Sequence, residues 1–210
     1  AVIFLIPFIA GIYLSFCSFT TVTDAAFIGF ENYKLAFSDA NFVRAFLFTL
    51  AFSIVSVITI NIFAFFLALL LTGKLRGTNF FRTIFFMPNL IGGIVLGYIW
   101  QLIINGMLLN FNTSITGDAK YGFIGLVVLM NWQMIGYMMI IYIAGIQNIP
   151  TSVLEAAKVD GAGYFTTLRR IIIPSVMPSI TICLFLTITN SFKLFDQNLA
   201  LTAGAPAKQT

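Results

Sequence analysis

The chain has 210 residues, of which 60% are hydrophobic and only 9% are charged, and its net charge is +4 at pH 7. Soluble domains carry about 25% charged residues, so this composition excludes a soluble chain and indicates a membrane protein. The cations are scattered without an aromatic-rich basic stripe, which argues against a nucleic-acid surface and favours contact with membrane lipid.

Five stretches contain no charged residue, and each is long enough to cross a bilayer. They are residues 1–23, 45–73, 83–117, 121–154 and 171–192. The chain opens without a basic flank, so residues 1–19 predict a truncated first span, and a polar excursion follows over residues 20–44. Residues 45–72 predict a second span, which as a helix would be about 42 Å long and would exceed the roughly 30 Å bilayer core.

The third apolar stretch begins at Thr83 and contains several helix-breaking residues. Pro88 and Gly92 predict a kink, and the Gly93-xxx-Gly97 spacing allows another helix to approach closely. The remaining predicted elements are a polar link over 105–120, a fourth span over 121–147 and a fifth over 171–192. The sequence therefore predicts an all-α, polytopic membrane helix bundle that forms a single domain over residues 1–210.

Lysine and arginine are distributed unequally between alternate loops, which predicts the orientation of the chain. One set of loops has six cations and two anions, a balance of +4, whereas the other set has five of each. The first set contains Lys74, Arg76, Arg82, Lys158, Arg169, Arg170, Glu155 and Asp160. We expect this set to be cytoplasmic and residues 20–44, 105–120 and 193–210 to face outward, which predicts that a returning sixth span is missing.

The composition also argues against an enzyme. Histidine is absent, which excludes Ser-His-Asp hydrolases and His-ligated metal sites, and the sequence contains no glycine-rich nucleotide loop. Cys17 and Cys183 have no partner motif, so we interpret both as small buried hydrophobic residues. The sequence predicts no catalytic residue, no metal site and no cofactor bound by this chain.

The segment over residues 148–178 is longer and more patterned than a link between two spans requires. Pro150 ends the fourth span, Ser152 and Glu155 have the spacing of a capping box, and Gly161 provides a left-handed stop. The pattern predicts a short cytoplasmic helix. Such a helix lies either on the membrane surface or on a protein, and its net charge near −1 favours a protein partner.

A motif within this segment carries a family resemblance. Glu155-Ala-Ala-Lys-Val-Asp-Gly161, followed by Ile171-Ile-Ile-Pro174, resembles the EAA motif of bacterial ABC importer permeases. Other segments resemble the sugar-permease branch, and the last of them, running into Leu201-Thr-Ala-Gly-Ala-Pro206, is similar to the maltose- and glycerol-phosphate-importer subunit that pairs with a second, different permease. They are Ile28-Gly-Phe-Glu-Asn-Tyr33, Lys74-Leu-Arg-Gly77, Phe81-Arg-Thr-Ile-Phe-Phe-Met-Pro88, Ala144-Gly-Ile-Gln-Asn-Ile-Pro150 and Ser191-Phe-Lys-Leu-Phe-Asp196. Ala203 and Ala205 depart from the family's Leu-Thr-Gly-Gly-Gly-Pro pattern.

The resemblance implies a six-helix permease core in the bacterial cell membrane, of which this chain would lack part of the first helix and all of the last. Two permease subunits would bind two cytoplasmic ATPase subunits, which hold ATP and Mg²⁺, and would receive a sugar or polyol from an extracytoplasmic solute-binding protein. The EAA helix of the family lies in a cleft of the ATPase. This implies a coupling surface formed by Glu155, Ala156, Ala157, Asp160 and Gly161.

Polar side chains within the predicted spans are costly unless they face protein or water. Two groups of residues share a helix face and, by resemblance, match the maltose-binding positions of a maltose-importer permease. They are Gln133, Met134 and Tyr137 in the fourth span and Thr187, Asn190, Ser191 and Leu194 in the fifth. Amides and hydroxyls beside an aromatic ring suit a neutral polyol, so these residues either contact solute or pack helices together.

Three functions follow as hypotheses. The first is the permease subunit of an ATP-driven carbohydrate importer. The second is a membrane assembly protein that recruits a cytoplasmic partner through the 151–161 helix without passing solute. The polar faces distinguish the two, because an assembly protein has no reason to place polar groups inside its spans. A membrane enzyme is the third, and it is disfavoured by the absence of histidine and of paired intramembrane carboxylates.

Overall fold

A computed structural model describes residues 2–19, 21, 24–73 and 77–205. The chain divides into two compact units, Ala1–Leu47 and Phe48–Thr210, and the boundary falls within one long helix. Three of the cations counted in the predicted loop charges lie outside the described residues, namely Lys74, Arg76 and Lys208.

The first unit contains two helices and a very short strand ladder. These are α1 (Val2–Ser15), β1 (Cys17–Ser18), β2 (Ala26–Phe27) and α2 (Glu31–Ser38). The strands are antiparallel, with Cys17 opposite Phe27 and Ser18 opposite Ala26. Asn32 joins α2 to the end of α1, because its side-chain amide donates to the carbonyls of Ser15 at 3.0 Å and Cys17 at 2.9 Å. The predicted polar excursion therefore contains secondary structure of its own.

The long helix α3 (Ala40–Thr72) begins five residues before the predicted start of the second span. The Asp39 carboxylate accepts the backbone N–H of Asn41 at 2.9 Å and satisfies one of the free donors at the start of the helix. The 33 residues of α3 give a helix roughly 50 Å long at about 1.5 Å per residue. The excess over the bilayer core is confirmed, although the predicted start was too late.

The third apolar stretch is two helices rather than one. α4 (Thr78–Phe86) leads into a 3₁₀ turn at Met87–Leu90, and α5 (Gly93–Leu108) follows with a second 3₁₀ turn at Leu109–Phe111. Gly92 separates the two helices with an extended backbone of φ −60° and ψ 140°. The predicted kink is confirmed, whereas the prediction that this element starts at Thr83 is wrong.

The helix α6 (Ala119–Gln147) supplies more of the buried core of the second unit than any other described helix. The Asp118 carboxylate begins it by accepting the Lys120 backbone N–H at 2.9 Å. The preceding link is shorter than the predicted 105–120, because α5 continues past Asn105. The Asn105 side-chain oxygen instead accepts the backbone N–H of Ile115 at 2.9 Å and holds the turn between the two helices.

The fifth apolar stretch is bent at Val176. After α7 (Thr151–Val159), a short arm over residues 164–175 contains α8 (Tyr164–Thr167), a π turn at Leu168–Ile172 and α9 (Ile173–Ser175), and α10 (Met177–Phe192) follows. The helical segments 164–175 and 177–192 meet at 68°. Residues 171–175 of the predicted fifth span therefore belong to the segment before the bend, and α10 begins at Met177. Proline in the first turn of both α9 and α10 explains the interruption, since proline lacks the N–H that would continue the preceding helix.

The described residues include three helices that are long and apolar enough to cross a membrane, or four spans when the bent pair is counted as one. The three are α3, α5 together with its 3₁₀ turn, and α6. The remaining predicted span corresponds to α1, which is apolar but has only 14 residues. An all-α membrane helix bundle is confirmed.

The predicted outward tail over residues 193–210 contains a packed helix, α11 (Phe195–Leu201). It lies against α5, because Gly93 and Gly97 leave room for Gln197 and Ala200. The Gln101 side-chain amide donates to the Leu201 carbonyl at 3.0 Å across this contact. The close helix approach predicted from the glycine spacing is confirmed, and the segment counted among the outward loops contains a helix that the sequence analysis did not predict.

Candidate functional site

The predicted coupling helix, α7, begins two residues earlier than a capping box requires. Pro150 precedes the first helical residue, Thr151, and its carbonyl accepts the Val153 backbone N–H at 3.1 Å. Ser152 therefore lies inside the helix, and no side chain caps its N-terminus. The predicted pairing of Ser152 with Glu155 is wrong, because the fixed backbone of proline starts the helix before the serine.

The C-terminal end of α7 is closed by a complete Schellman motif around Gly161. The Ala162 N–H donates to the Ala157 carbonyl at 2.9 Å, and the Gly161 N–H donates to the Lys158 carbonyl at 3.1 Å. Gly161 has a φ of +72°, the left-handed conformation that glycine adopts without steric cost. The predicted left-handed stop is confirmed.

Four of the five predicted coupling residues are exposed on this segment. They are Glu155, Ala156, Asp160 and Gly161. Ala157 differs, because its side chain is only 6% exposed and packs within the chain. Its contribution is the carbonyl that closes the helix end, so four of the five predicted residues are accessible to another protein.

Apolar side chains that the sequence analysis did not select also lie on this segment. Val159 is 87% exposed and Phe165 is 82% exposed, and the Phe165 ring packs edge-on against Tyr164 with 5.7 Å between ring centroids. Between α7 and the following arm lies an open cleft of about 540 Å³, lined in part by Asp160 and Arg170. The sequence feature that could have indicated this surface is the presence of large apolar residues, Val159 and Phe165, in a short segment that is predicted to lie outside the membrane.

The predicted solute-path residues of α10 separate into buried and half-buried positions. Thr187 and Ser191 are 0% and 2% exposed, and their hydroxyls donate to carbonyls of their own helix. Thr187 also accepts a hydrogen bond from Asn61 of α3 at 3.1 Å. These two residues pack helices together in this structure.

Asn190 and Leu194 are half-buried. The Asn190 amide nitrogen donates to the Leu186 carbonyl at 2.8 Å, and within the described residues its side-chain carbonyl oxygen accepts no hydrogen bond. Asn190 therefore retains an acceptor for a solute hydroxyl. Of the three polar side chains predicted on this face, it is the one that is not fully buried, so its unused acceptor can be reached.

The predicted residues of α6 separate in the same way. Met134 is 6% exposed in the core, and Gln133 is 8% exposed with both ends of its amide engaged. Gln133 donates to the Ile91 carbonyl at 3.4 Å and accepts from the Gln197 side chain at 3.2 Å. Tyr137 is half-buried, with its ring 6.3 Å from that of Phe86. Tyr137 is thus the α6 residue of this group that retains an open surface.

Both cysteines are buried, at 2% exposure for Cys17 and 0% for Cys183, which confirms their interpretation as small core residues. Among the residues described by the structure, no group of three or more acidic or cysteine side chains could hold a metal ion.

Comparison with known proteins identifies the family. Residues 60–209 match the family described as binding-protein-dependent transport system inner membrane component. The chain is 43% identical to the probable starch degradation products transport system permease protein AmyD of Thermoanaerobacterium thermosulfurigenes, over all of this chain and 74% of that protein. It is 30% identical to the multiple sugar-binding transport system permease protein MsmF of Streptococcus mutans, over all of this chain and 76% of that protein.

A solved structure shares the fold. It is a bacterial ABC transporter involved in the import of the acidic polysaccharide alginate, which matches 99% of this chain and 74% of its own chain with a TM-score of 0.78 and 21% identity. The bundle of apolar helices, the EAA-like segment and the match over residues 60–209 agree. The chain belongs to the inner-membrane permease family of binding-protein-dependent ABC importers.

Proposed function

We propose that this chain is the permease subunit of an ATP-driven importer of neutral oligosaccharides such as those released from starch. The observation that carries the substrate class is the 43% identity, over the whole chain, to a permease named for starch degradation products. The half-buried Tyr137 and Asn190 support it, because a ring face and an open amide oxygen suit sugar CH groups and hydroxyls.

The proposed transporter contains a second permease subunit, two ATPase subunits that bind ATP and Mg²⁺, and an extracytoplasmic solute-binding protein. The family description supports the last of these partners. The exposed face of α7, with Glu155 and Asp160 beside the apolar Val159, supports a protein partner rather than lipid on the cytoplasmic side. This chain would supply the path and the coupling element, and the ATPase would supply the chemistry.

The connections of α7 support a coupling mechanism. Three residues, 148–150, separate α7 from α6, and the bent arm over residues 164–175 joins it to α10. A shift of α7 that is imposed by ATPase closure would move the adjoining ends of both spans together. These two spans carry Tyr137 and Asn190, so the same movement would alternate the access of the solute path.

The test is reconstitution of the full-length permease with its second permease, ATPase and binding protein in proteoliposomes. We expect uptake of radiolabelled maltose and maltotriose that requires both ATP and the binding protein. Glu155→Lys, which reverses an exposed charge on α7, should insert normally yet lose uptake, whereas the neutral Glu155→Gln variant should retain most of it. An assembled complex that hydrolyses ATP but carries no sugar would instead support the assembly-protein hypothesis.

A further inference from the structure

Three helices of the second unit are joined by a chain of hydrogen bonds through Asn61. The Tyr142 hydroxyl of α6 donates to the Asn61 side-chain oxygen at 2.7 Å. The Asn61 amide nitrogen donates to the Thr187 hydroxyl of α10 at 3.1 Å. Thr187 in turn donates to the Cys183 carbonyl of its own helix at 2.7 Å. The donor-to-acceptor direction of these three hydrogen bonds is therefore the same, from α6 through Asn61 of α3 to α10.

The orientation of the Asn61 amide follows from its surroundings. Its nitrogen also donates to the Val57 carbonyl, one turn earlier in α3, at 2.8 Å. An amide turned the other way would place its oxygen against that carbonyl and would lose both donated hydrogen bonds. The Asn61 oxygen is therefore directed to Tyr142, and a tyrosine hydroxyl can donate to it.

The two ends of this network are buried, since Tyr142 is 2% exposed and Thr187 is 0% exposed, whereas Asn61 between them is half-buried. Inside a membrane protein, a polar group that loses its partner has no water to replace it. Thr187 and Asn61 therefore hold α10 at a defined rotation about its own axis. Ser191, one turn further along, is 2% exposed and keeps the same face inward.

That rotation determines the direction of Asn190, which lies three residues after Thr187. Side chains project about 5 to 6 Å from a helix axis, so a 20° rotation of α10 would displace the Asn190 amide by about 2 Å. We infer that Asn61 is a positioning residue, which fixes α10 through Thr187 so that Asn190 faces the solute path. This inference rests on the proposed function for the role of Asn190, but not for the network itself.

The chain offers a matched control for Asn61. Asn131 of α6 also donates to the carbonyl four residues before it, Val127, at 2.8 Å. Its side-chain oxygen is buried without a hydrogen-bond partner among the described residues, so it makes no comparable link between helices. Leucine at position 61 removes the link between helices, whereas leucine at position 131 removes only a local hydrogen bond.

The first measurement needs no sugar. Asn190→Cys is introduced into the full-length, assembled transporter, and its rate of modification by a small membrane-impermeant thiol reagent is measured. Cys17 and Cys183 remain in place because both are buried, and the transporter without Asn190→Cys gives their background. We expect Asn61→Leu and Thr187→Val each to change the rate about 3- to 15-fold, the range that hydrogen bonds between membrane helices support.

Three further variants separate positioning from general packing. Asn131→Leu should leave the modification rate within about twofold of the unaltered protein, since it breaks no link between helices. Thr187→Ser should keep the unaltered rate, because it retains the hydroxyl that Thr187→Val removes. Combining Asn61→Leu with Thr187→Val should change the rate no further than one of them, since both break the same link.

The second measurement is the kinetics of maltose uptake with Asn190 intact. A positioning role predicts that Asn61→Leu raises KM about 3- to 15-fold while kcat stays within about twofold. If the unaltered transporter carries no maltose, the proposed substrate class fails, and the modification rates still decide the role of Asn61. Equal effects of Asn61→Leu and Asn131→Leu, or a residue 190 that is unreactive in every variant, would overturn the inference.

Discussion

Replacing Gly161 with serine perturbs one backbone conformation and little else. Gly161 has a φ of +72°, and a Cβ placed there would meet no atom within 4 Å among the described residues. The expected penalty therefore comes from the left-handed backbone alone, and it is about 1–2 kcal/mol for an L-residue. No clash contributes to it, so the size of the effect follows from the conformation.

The penalty falls on the motif that closes α7. Both hydrogen bonds of the motif, Ala162 N–H to Ala157 and Gly161 N–H to Lys158, depend on the left-handed turn. A cost of about 1–2 kcal/mol corresponds to a roughly 5- to 30-fold fall in the ratio of closed to open helix ends. If the ATPase binds the closed form, its apparent affinity should fall by the same factor.

The assay is binding of the ATPase to the detergent-solubilised, full-length permease, alongside sugar uptake in proteoliposomes. Gly163→Ser is the matched control, because Gly163 lies two residues further on and has a φ of −69°, and a Cβ there would likewise meet no described atom within 4 Å. Serine there begins α8 favourably. We expect weaker binding for Gly161→Ser and unchanged binding for Gly163→Ser. Equal affinities for the two variants would refute the reasoning.

Three further predictions use other parts of the chain. Cysteine at Lys158 should react with an impermeant thiol reagent only after the membrane is opened, whereas cysteine at Asp118 should react in intact cells, as the loop charges predict. Asn190→Leu should lower uptake about 2- to 10-fold with assembly intact, because one solute hydrogen bond is worth about 0.5–1.5 kcal/mol. Ala203→Gly should stabilise the permease by about 1 kcal/mol in thermal unfolding, because Ala203 has a left-handed φ of 51°.

The features that could be predicted from the sequence are those with a local physical cause. Charge-free apolar stretches predict helices of membrane length, because any buried charge in such a helix is costly. Pro88 and Gly92 predict the break before α5, since neither residue continues a helix readily. Gly161 predicts the end of α7 for the same kind of reason. Each of these signals depends on a few neighbouring residues.

The features that could not be predicted depend on contacts between distant residues. Nothing local to Gly136 indicates that a Cβ there would overlap the Phe85 carbonyl, because the contact joins α6 to α4. The same holds for α11. Its packing depends on the space that Gly93 and Gly97 leave for it on α5, which residues near α11 in the sequence do not indicate. The capping box failed for a local reason instead, since Pro150 and Ser152 both offered a helix start and the spacing alone could not decide between them.

The candidate solute path shows why helical periodicity is insufficient for a site inside a membrane. Periodicity places Thr187, Asn190 and Ser191 on one side of α10, but a side of a helix spans buried and open positions. Which residue is open depends on contacts with other helices. Asn61 of α3 hydrogen-bonds to Thr187 directly, and Tyr142 of α6 hydrogen-bonds to Asn61. A hydrogen bond that satisfies a buried hydroxyl also sets the rotation of its helix. The hydrogen bond between Asn61 and Thr187 therefore both stabilises the helix bundle and sets the direction of Asn190.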